Sequence, residues 1–309
     1  MRYFTKTDDM MYCHDVSGLV GHMGKEYHPE EWRLFIDSST RSLKAVLLFN
    51  GKKVASLPIA HSVTLKETYA TMSLLLNNIQ HQDHNWLLCG DLKVLSILLG
   101  LQGGYTKHPC FLCLWDSRAD SVHYRQVQWP QRTEFVPGRH NVKALPLVPA
   151  ERVLLPPLHI KLGLMKNFVK ALPKDGEGFK YLSHKFPSVS AAKMEAGIFV
   201  GPQIRELISD TGFTEALTPH ERSAWNSFKS VVTGFLGNTK ADDYKERVGN
   251  MLQAYETAGV RMSIKMHFLH SHLDYFPANL GDFSEEQGEH FHQDTIFVSC
   301  KNAIKADGM

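Results

Sequence analysis

The chain has 309 residues, 43% of them hydrophobic, which is enough for one large globular domain or two small ones with a proper core. Its formal net charge of +2 is too small to define a nucleic-acid-binding protein by itself, so any contact with DNA would depend on local clusters of basic residues. The first residues lack the order of a secretion signal, and the most apolar stretch, residues 86–101, is too short to cross a bilayer.

The N-terminal third of the chain predicts a short lead-in followed by strands. Residues 1–31 show no clear hydrophobic period, and we expect a lead-in without a complete DNA-binding module. From residue 32 the pattern sharpens, and Asn50 followed by Gly51 is a strong hairpin signal. The sequence therefore predicts three consecutive antiparallel strands, at residues 33–37, 43–49 and 53–59.

A helix, a buried strand and a second helix are predicted next. Thr64 is followed three residues later by Glu67, the spacing of a capping box, and apolar residues then recur at helical spacing to about residue 80. The apolar residues 86–89 predict a buried strand, and a short helix follows to residue 101. The order is that of a ribonuclease H-like core, an α/β fold in which helices flank a mixed sheet.

Two aspartates end predicted strands of this sheet. Asp37 ends the first strand, and Asp91 follows the fourth. In a ribonuclease H-like sheet these strands lie side by side, so the two carboxylates would meet at the sheet edge where α/β proteins tend to bind ligands. Paired carboxylates can hold two divalent ions for phosphodiester chemistry. Taken singly, each aspartate is also explained as a turn residue or a helix cap.

The rest of the chain, from residue 115, differs in composition from the predicted core. Six of the fourteen prolines fall between residues 115 and 160, which predicts a long extended connection, and a helical period then runs from residue 159 to about residue 259. We therefore divide the chain into the following segments: a lead-in (1–31), the first part of the core (32–114), a Pro-rich connection with an all-helical insertion (115–265), a segment that completes the core (266–294) and a short tail (295–309).

A zinc site is predicted from four cysteine and histidine residues. The two-residue gap between Cys110 and Cys113 lets two thiolates bind one tetrahedral zinc ion, and His267 and His272 supply two further ligands. His270 is the rival ligand in the same cluster. The five cysteines are an odd number and are otherwise far apart, so a disulfide framework is not expected. The alternative is that these cysteines are ordinary buried residues.

A third acid is expected near the C-terminus. Ser284 and Gln287 have the spacing of a capping box, which would place Glu286 and Glu289 along one side of a helix. Either glutamate could face the metal ions. A solvated helix face is the alternative explanation.

Basic residues are concentrated between residues 115 and 170, where nine Lys or Arg stand against four acids. This local excess, with interleaved aromatic and histidine residues, could contact a phosphate backbone. A solvated loop explains the same composition. The candidate nucleic-acid-binding residues are Arg118, Arg125, Arg132, Arg139, Lys143 and Lys161.

These motifs together resemble the catalytic domain of eukaryotic cut-and-paste DDE transposases, the group that includes hAT-type elements and the V(D)J recombinase catalytic subunit. The resemblance spans about residues 32–294. Its most specific part is the cysteine pair, nineteen positions after Asp91, together with the histidine pair. The resemblance implies catalytic, metal-binding roles for Asp37, Asp91 and Glu289, with Glu286 as the alternative, and a structural zinc at Cys110, Cys113, His267 and His272.

The resemblance also implies a function. We expect an endonuclease and strand transferase that uses two Mg²⁺ or Mn²⁺ ions on double-stranded DNA in the nucleus, with a homodimer as a family expectation and no membrane partner. One alternative is a catalytically inactive, host-retained domain of the same fold that binds DNA or protein. Another is a ribonuclease H-like exonuclease, for which Asp274 or Asp294 would serve as a further acid.

Overall fold

The computed structural model describes residues 2–38, 42–50, 55–237, 240–277 and 280. Over these residues the fold is α/β, with a six-stranded mixed sheet and twelve α-helices. The chain divides into two compact units. One contains Met1–Tyr105 and Glu134–Pro156, and the other contains Thr106–Thr133 and Pro157–Gly281.

The sheet forms the centre of the first unit. Its strands are β1 (Phe4–Lys6), β2 (Met11–Cys13), β3 (Trp32–Ser38), β4 (Leu43–Phe49), β5 (Leu57–Ser62) and β6 (Leu87–Gly90). Across the sheet their order is β1-β2-β5-β4-β3-β6, and every neighbouring pair is antiparallel except β3 and β6, which are parallel. The expected lead-in thus supplies two strands of this sheet. Each has only three residues, too few for a hydrophobic period to be visible in the sequence.

Strands β3, β4 and β6 lie where the sequence predicts them, whereas β5 spans residues 57–62 and not the predicted 53–59. Strand β3 is buried from Trp32 to Ile36, as expected for a strand covered on both faces. On one face Phe35 and Cys89 pack with residues of β4, and Leu154 joins this cluster. The Leu154 N–H donates to the Leu88 carbonyl at 2.7 Å, so a returning segment of the chain lies beside β6. The centre of the sheet is therefore held by side-chain packing on this face and by the returning segment beside β6.

The described part of the first unit contains four helices, and one of them begins later than predicted. Its N-cap is Thr68, whose hydroxyl accepts from the Thr71 N–H at 3.2 Å, so Thr64 and Glu67 do not form a capping box. Thr64 lies in a turn where the Ser62 hydroxyl accepts its N–H. The Glu67 carboxylate instead pairs with Lys93. The four helices are α1 (Val16–His22), α2 (Tyr69–Asn78), α3 (His81–His84) and α4 (Leu92–Leu98).

The second unit is helical, as predicted for the later half of the chain. Its core includes a row of packed rings formed by Phe168, Trp225 and Tyr255, all of which are buried. No helix in the described part of the chain combines the length and apolar character needed to cross a membrane. The helices are α5 (Pro157–Ala171), α6 (Glu177–Lys185), α7 (Ala191–Glu195), α8 (Gly201–Ile208), α9 (Thr211–Ala216), α10 (Pro219–Gly234), α11 (Tyr244–Thr257) and α12 (Ile264–Ser271).

The Pro-rich connection has little regular secondary structure. Between residues 115 and 156 the structure contains turns, short 3-10 segments at Asp120–Val122 and Ala150–Arg152, and isolated bridges, with no α-helix or named strand. Residues 115–133 belong to the second unit and residues 134–156 to the first. The connection therefore contributes to both units.

Gly90 provides a test of the β3–β6 contact. A Cβ atom at Gly90 would lie 2.7 Å from the Ile36 carbonyl oxygen, so Gly90→Ala should push the two strands apart and lower the free energy of unfolding by about 1–3 kcal/mol. Gly103→Ala is the matched control, because a Cβ atom there meets nothing within 4 Å. Denaturant unfolding of both variants measures the difference. Equal stability of the two variants would contradict the close approach.

Candidate metal centre and acidic pair

The two cysteines lie in an irregular segment of the second unit, here called the cysteine hairpin, in which residues 112–114 run antiparallel to residues 130–132. Cys113 forms an isolated antiparallel bridge with Gln131, and the Arg132 N–H donates to the Leu112 carbonyl at 3.0 Å. Within the turn, the Leu112 N–H donates to the Cys110 sulfur at 3.4 Å. Such N–H donors stabilise a thiolate. The turn therefore holds both sulfur atoms on one side of the hairpin.

The two histidines reach the same point from the end of α12. His267 lies inside the helix and is buried, whereas His272 is the C-cap residue with φ −133° and ψ 33°. Residues five apart in a continuous helix face directions about 140° apart. Because the chain leaves the helical conformation at His272, its ring can turn back toward His267.

The four side chains fit a tetrahedral metal ion. Their ligand atoms all lie within 4.8 Å of one another. The Cys113 sulfur is 3.2 Å from Nε2 of His267 and 3.2 Å from Nε2 of His272, and the Cys110 sulfur is 3.5 Å from Nε2 of His272. Zinc–sulfur and zinc–nitrogen bonds at a tetrahedral angle place sulfur and nitrogen about 3.6 Å apart. The group can therefore hold a metal ion such as zinc.

The protonation states of these groups also suit a metal. Hydrogen bonds from the Cys110 thiol and from the two imidazoles lower the pKa of Cys113, so this sulfur is held as a thiolate. Burial raises the pKa of Cys110 and lowers the pKa of His267, which keeps that imidazole neutral. A zinc ion would replace the shared protons, and two thiolates with two neutral imidazoles would balance its charge.

Aromatic rings enclose the site. The Trp115 ring stacks on the His267 ring at a centroid distance of 4.7 Å and an interplanar angle of 13°. Trp115 is itself buried, so it excludes water from one side of the imidazole. Phe111 packs against Phe268 on α12, which ties the hairpin to the helix that carries His267. The apolar surroundings strengthen the electrostatic interactions inside the site.

His270, the alternative ligand, is not part of the four-residue group. Burial lowers its pKa, and the charged groups acting on it are Glu256 and His123 rather than the cysteines. His272 therefore fills the fourth position.

The ligand set can be tested by zinc content. We expect about one zinc per chain in the purified protein, and a loss of zinc in Cys113→Ser and in His272→Ala, because three good ligands bind zinc much more weakly than four. Cys13→Ala and His270→Ala are matched controls that should keep the metal, since neither side chain belongs to the group. Elemental analysis of the four variants measures the result. Zinc loss in His270→Ala with retention in His272→Ala would reverse the assignment.

Arg132 supports the hairpin from inside. Its side chain is 7% exposed, and its guanidinium donates to the carbonyls of Cys110 and His108, each at 2.9 Å. Removing this side chain would leave buried carbonyls without those donors. The interpretation of Arg132 as a DNA-contacting residue is therefore wrong, because its donors are used within the protein.

A substitution at Arg132 should loosen the metal site. We expect Arg132→Met to release zinc to a chelator about tenfold faster than the wild type, as found when residues that support metal ligands are removed. Arg125→Met is the control, because Arg125 is exposed in the same unit. Stopped-flow measurement with a coloured chelator gives the rates. Unchanged zinc release together with weakened DNA binding would restore the DNA-contacting role.

The two aspartates occupy neighbouring positions in the first unit. Ile36 on β3 pairs with Gly90 on β6, and Asp37 and Asp91 follow directly at the carboxyl ends of these parallel strands. Side chains alternate along a strand, so both aspartates continue the face that carries Phe35 and Cys89. Both side chains are half-buried. The sheet thus brings together the two acids that are far apart in sequence.

Each aspartate also has a local environment of its own. Asp91 is the N-cap of α4, and its Oδ1 accepts from the Val94 N–H at 2.7 Å. Asp37 pairs in register with Lys44 across β3 and β4. Asp91 therefore caps α4, as the alternative interpretation expected. It also follows the strand position next to that of Asp37.

The other predicted residues of this site fall into two groups. Ser284, Glu286, Glu289 and Asp294 lie outside the described residues. Asp274 is exposed in the second unit and forms an ion pair with Lys245 at 2.7 Å.

The basic residues do not form one group. Lys161 is 7% exposed in α5, so its predicted role in DNA contact is wrong because little of the residue reaches the surface. Arg118 and Arg125 are exposed in the second unit, and Arg139 and Lys143 are exposed in the first. A local excess of charge in sequence thus separates into two structural units.

Glu67 and Lys93 form an ion pair near Asp91 that the sequence does not reveal. The two residues are 26 positions apart, on different elements, and no motif links them. The spacing of Thr64 and Glu67 pointed instead to a capping box. The capping-box role and the ion-pair role of Glu67 can be distinguished only by the burial of its side chain, which depends on tertiary packing.

Comparisons with known proteins give two matches of unassigned function. Residues 1–148 match a family model described as a domain of unknown function (DUF8703), and residues 157–237 match a second one (DUF8704). The first match includes both aspartates and both cysteines, whereas His267 and His272 lie beyond the second. No curated protein matches the sequence.

Proposed function

We propose that this chain is a transposase-derived catalytic domain with a ribonuclease H-like core, which cuts and joins double-stranded DNA with two divalent metal ions. The observation that carries the proposal is the parallel pairing of Ile36 with Gly90, which is followed on each strand by an aspartate. Water is the first nucleophile in this reaction, and the freed 3'-hydroxyl is the second.

The strand order supports the fold part of the proposal. Strands β3, β4 and β5 are consecutive and antiparallel, and the next strand, β6, lies beside β3 and parallel to it. The Val153 segment then pairs with Leu88 in parallel on the side of β6 away from β3. The ribonuclease H-like order predicted from the sequence has the same first-to-fourth strand pairing.

The position of the aspartates supports the chemistry. Neighbouring strands are about 4.8 Å apart, and two catalytic metal ions lie about 3.5–4 Å apart, so carboxylates at adjacent strand ends can share a metal ion. Both side chains are half-buried, which leaves part of each within reach of solvent and substrate. In the proposal their role is to bind metal, and the protein holds the scissile phosphate in line.

Glu289 is the proposed third acid, with Glu286 as the alternative. Both lie outside the described residues, and their assignment rests on the resemblance to DDE transposases. A zinc ion at Cys110, Cys113, His267 and His272 would join α12 to the cysteine hairpin within the second unit.

Four exposed basic residues remain as proposed contacts to the DNA backbone. They are Arg118, Arg125, Arg139 and Lys143. Each phosphate contact adds affinity that falls with salt concentration. A nuclear location and a homodimer belong to the same proposal and rest on the resemblance alone.

A second candidate function is a non-catalytic domain of the same fold that binds DNA or protein. The hydrogen bond from Val94 to Asp91 favours it, because this aspartate would be retained for the stability of α4 without any catalysis. Catalysis and capping make different demands on the side chain. Capping needs a side-chain oxygen, whereas metal binding needs its negative charge.

The difference can be tested by metal-dependent nicking of a labelled duplex. We expect wild-type protein to nick DNA with Mn²⁺, and Asp37→Asn and Asp91→Asn to lower the rate about a hundredfold or more, because each removes a metal ligand. Asn caps helices as well as Asp does, so Asp91→Asn should leave folding almost unchanged. Asp83→Asn is the control, since Asp83 is exposed on α3.

Two results would contradict the catalytic proposal. One is nicking that persists at the wild-type rate in Asp91→Asn. The other is DNA binding by folded wild-type protein without nicking under Mn²⁺, which would support the second candidate. Thermal unfolding of each variant confirms that the comparison is made between folded proteins.

A further inference from the structure

A cavity in the second unit lies where the last turn of α5 meets the connection between α11 and α12. Its volume is about 280 Å³, and its walls are formed by Asn167, Lys170, Ala171, Gly259 and Arg261. All five residues belong to the second unit, and none of them is a candidate zinc ligand. The cavity therefore shares no residue with either site described above.

Hydrogen bonds hold the backbone on one side of this cavity. The side-chain amide of Asn167 donates to the Arg261 carbonyl at 3.3 Å, and the Tyr124 hydroxyl donates to the Val260 carbonyl at 2.6 Å. Gly259 has φ +71°, a conformation that favours glycine, and its N–H bonds back to the last turn of α11 at 3.0 Å. The connection that carries Arg261 is therefore fixed before any ligand binds.

Two cations line the cavity without an acidic partner among the described residues. Lys170 and Arg261 are both exposed, and no salt bridge within that part of the chain involves either. Lys166 lies one turn before Lys170 on the same face of α5 and adds a third positive charge near it. The sequence of α5 contains no acidic residue. The cavity therefore combines a fixed backbone with uncompensated positive charge.

The nearest acids along the chain act on other groups. Glu256 lies in the last turn of α11, before Arg261, and its charge acts on His270. Asp175 follows α5 and is exposed, and its charge acts on Lys180. The C-terminal ends of α5 and α11 add partial negative charge, about half an elementary charge each, which is less than the charge of the two cations. A net positive charge therefore remains at the cavity.

We propose that this cavity binds a phosphate group, held by Lys170 and Arg261. Ammonium and guanidinium groups bind phosphate through charge-assisted hydrogen bonds, which a guanidinium can form in pairs. The volume lies near the lower limit of small-molecule pockets, which suits a phosphate that carries a small organic group. Among the described residues, none that lines the cavity is aromatic, so no ring is placed there to stack on a base.

The phosphate group can come from a small phosphate ester or from the backbone of DNA. Both sources offer the same charged oxygens to the two cations, so the experiment needs an arm that tells them apart. The inference does not depend on the proposed nuclease activity, because Asp37 and Asp91 belong to the first unit and the cavity to the second.

A structural role is the competing explanation for the two cations. Lysine and arginine near helix C-termini complement the partial negative charge there, and this needs no ligand. If that is their only role, Lys170→Met and Arg261→Met should lower stability and leave phosphate binding as in the wild type. Under the proposal both variants lose phosphate affinity. Binding and stability measured on the same variants therefore separate the two explanations.

The experiment is calorimetric titration of inorganic phosphate into the purified full chain at constant ionic strength, with chloride as the balancing anion. We expect one saturable site in the wild type, with affinity lowered about tenfold or more in Lys170→Met and in Arg261→Met, because each loses charge-assisted hydrogen bonds. Lys193→Met and Arg205→Met are matched controls, since these exposed cations of the same unit do not line the cavity.

A second arm identifies the source of the phosphate. Binding of a fluorescent DNA duplex is measured with and without inorganic phosphate at the same ionic strength. Displacement of the duplex by phosphate, together with weaker duplex binding by Arg261→Met, assigns the cavity to the DNA backbone. Unchanged duplex binding by a protein that binds phosphate assigns it to a small phosphate ester.

Two results would overturn the inference. One is the absence of saturable phosphate binding by the folded wild-type protein. The other is equal phosphate affinity in the wild type, Lys170→Met and Arg261→Met. Neither result bears on the aspartate pair, so the proposed function is judged separately by the nicking assay. Denaturant unfolding of each variant ensures that only folded proteins are compared.

Discussion

The parallel pairing of β3 with β6 is the contact on which the first unit depends. It is the only parallel pair among the named strands of the described sheet, and it joins residues that are more than fifty positions apart. Parallel neighbours require a crossover, and the chain makes it through α2 and α3. One pairing therefore determines where the aspartates lie.

The second unit is stabilised by different interactions. Its helices pack around aromatic rings, but the cysteine hairpin has little regular secondary structure. Four candidate ligands, a stacked tryptophan and a buried arginine lie together there. Arg132 satisfies two carbonyl groups that the tight turn leaves exposed to the interior, and a metal ion would fix the turn to α12. Coordination suits such a segment because it needs few residues to produce a rigid structure.

Local patterns in the sequence were sufficient to predict several strands and the candidate zinc site. The apolar runs of β3, β4 and β6 and the Cys-x-x-Cys spacing each depend on neighbouring residues only, and these predictions agree with the structure. Arg132 and Lys161 were misjudged because basic residues in a loop or on a helix are usually exposed, and their burial depends on distant partners. The capping box at Thr64 failed for a related reason. Glu67 is bound by Lys93, and Thr68 offers an equally good cap.

The cap at Asp91 has an evolutionary consequence. Aspartate and asparagine codons differ by one base, and either side chain can cap the N-terminus of α4. A single mutation can therefore remove the negative charge while the domain still folds, survives in the cell and keeps its surfaces. Selection for a stable protein distinguishes the two residues only weakly. The charge of an aspartate that is kept at this position acts either at the N-terminus of α4 or in the proposed metal site.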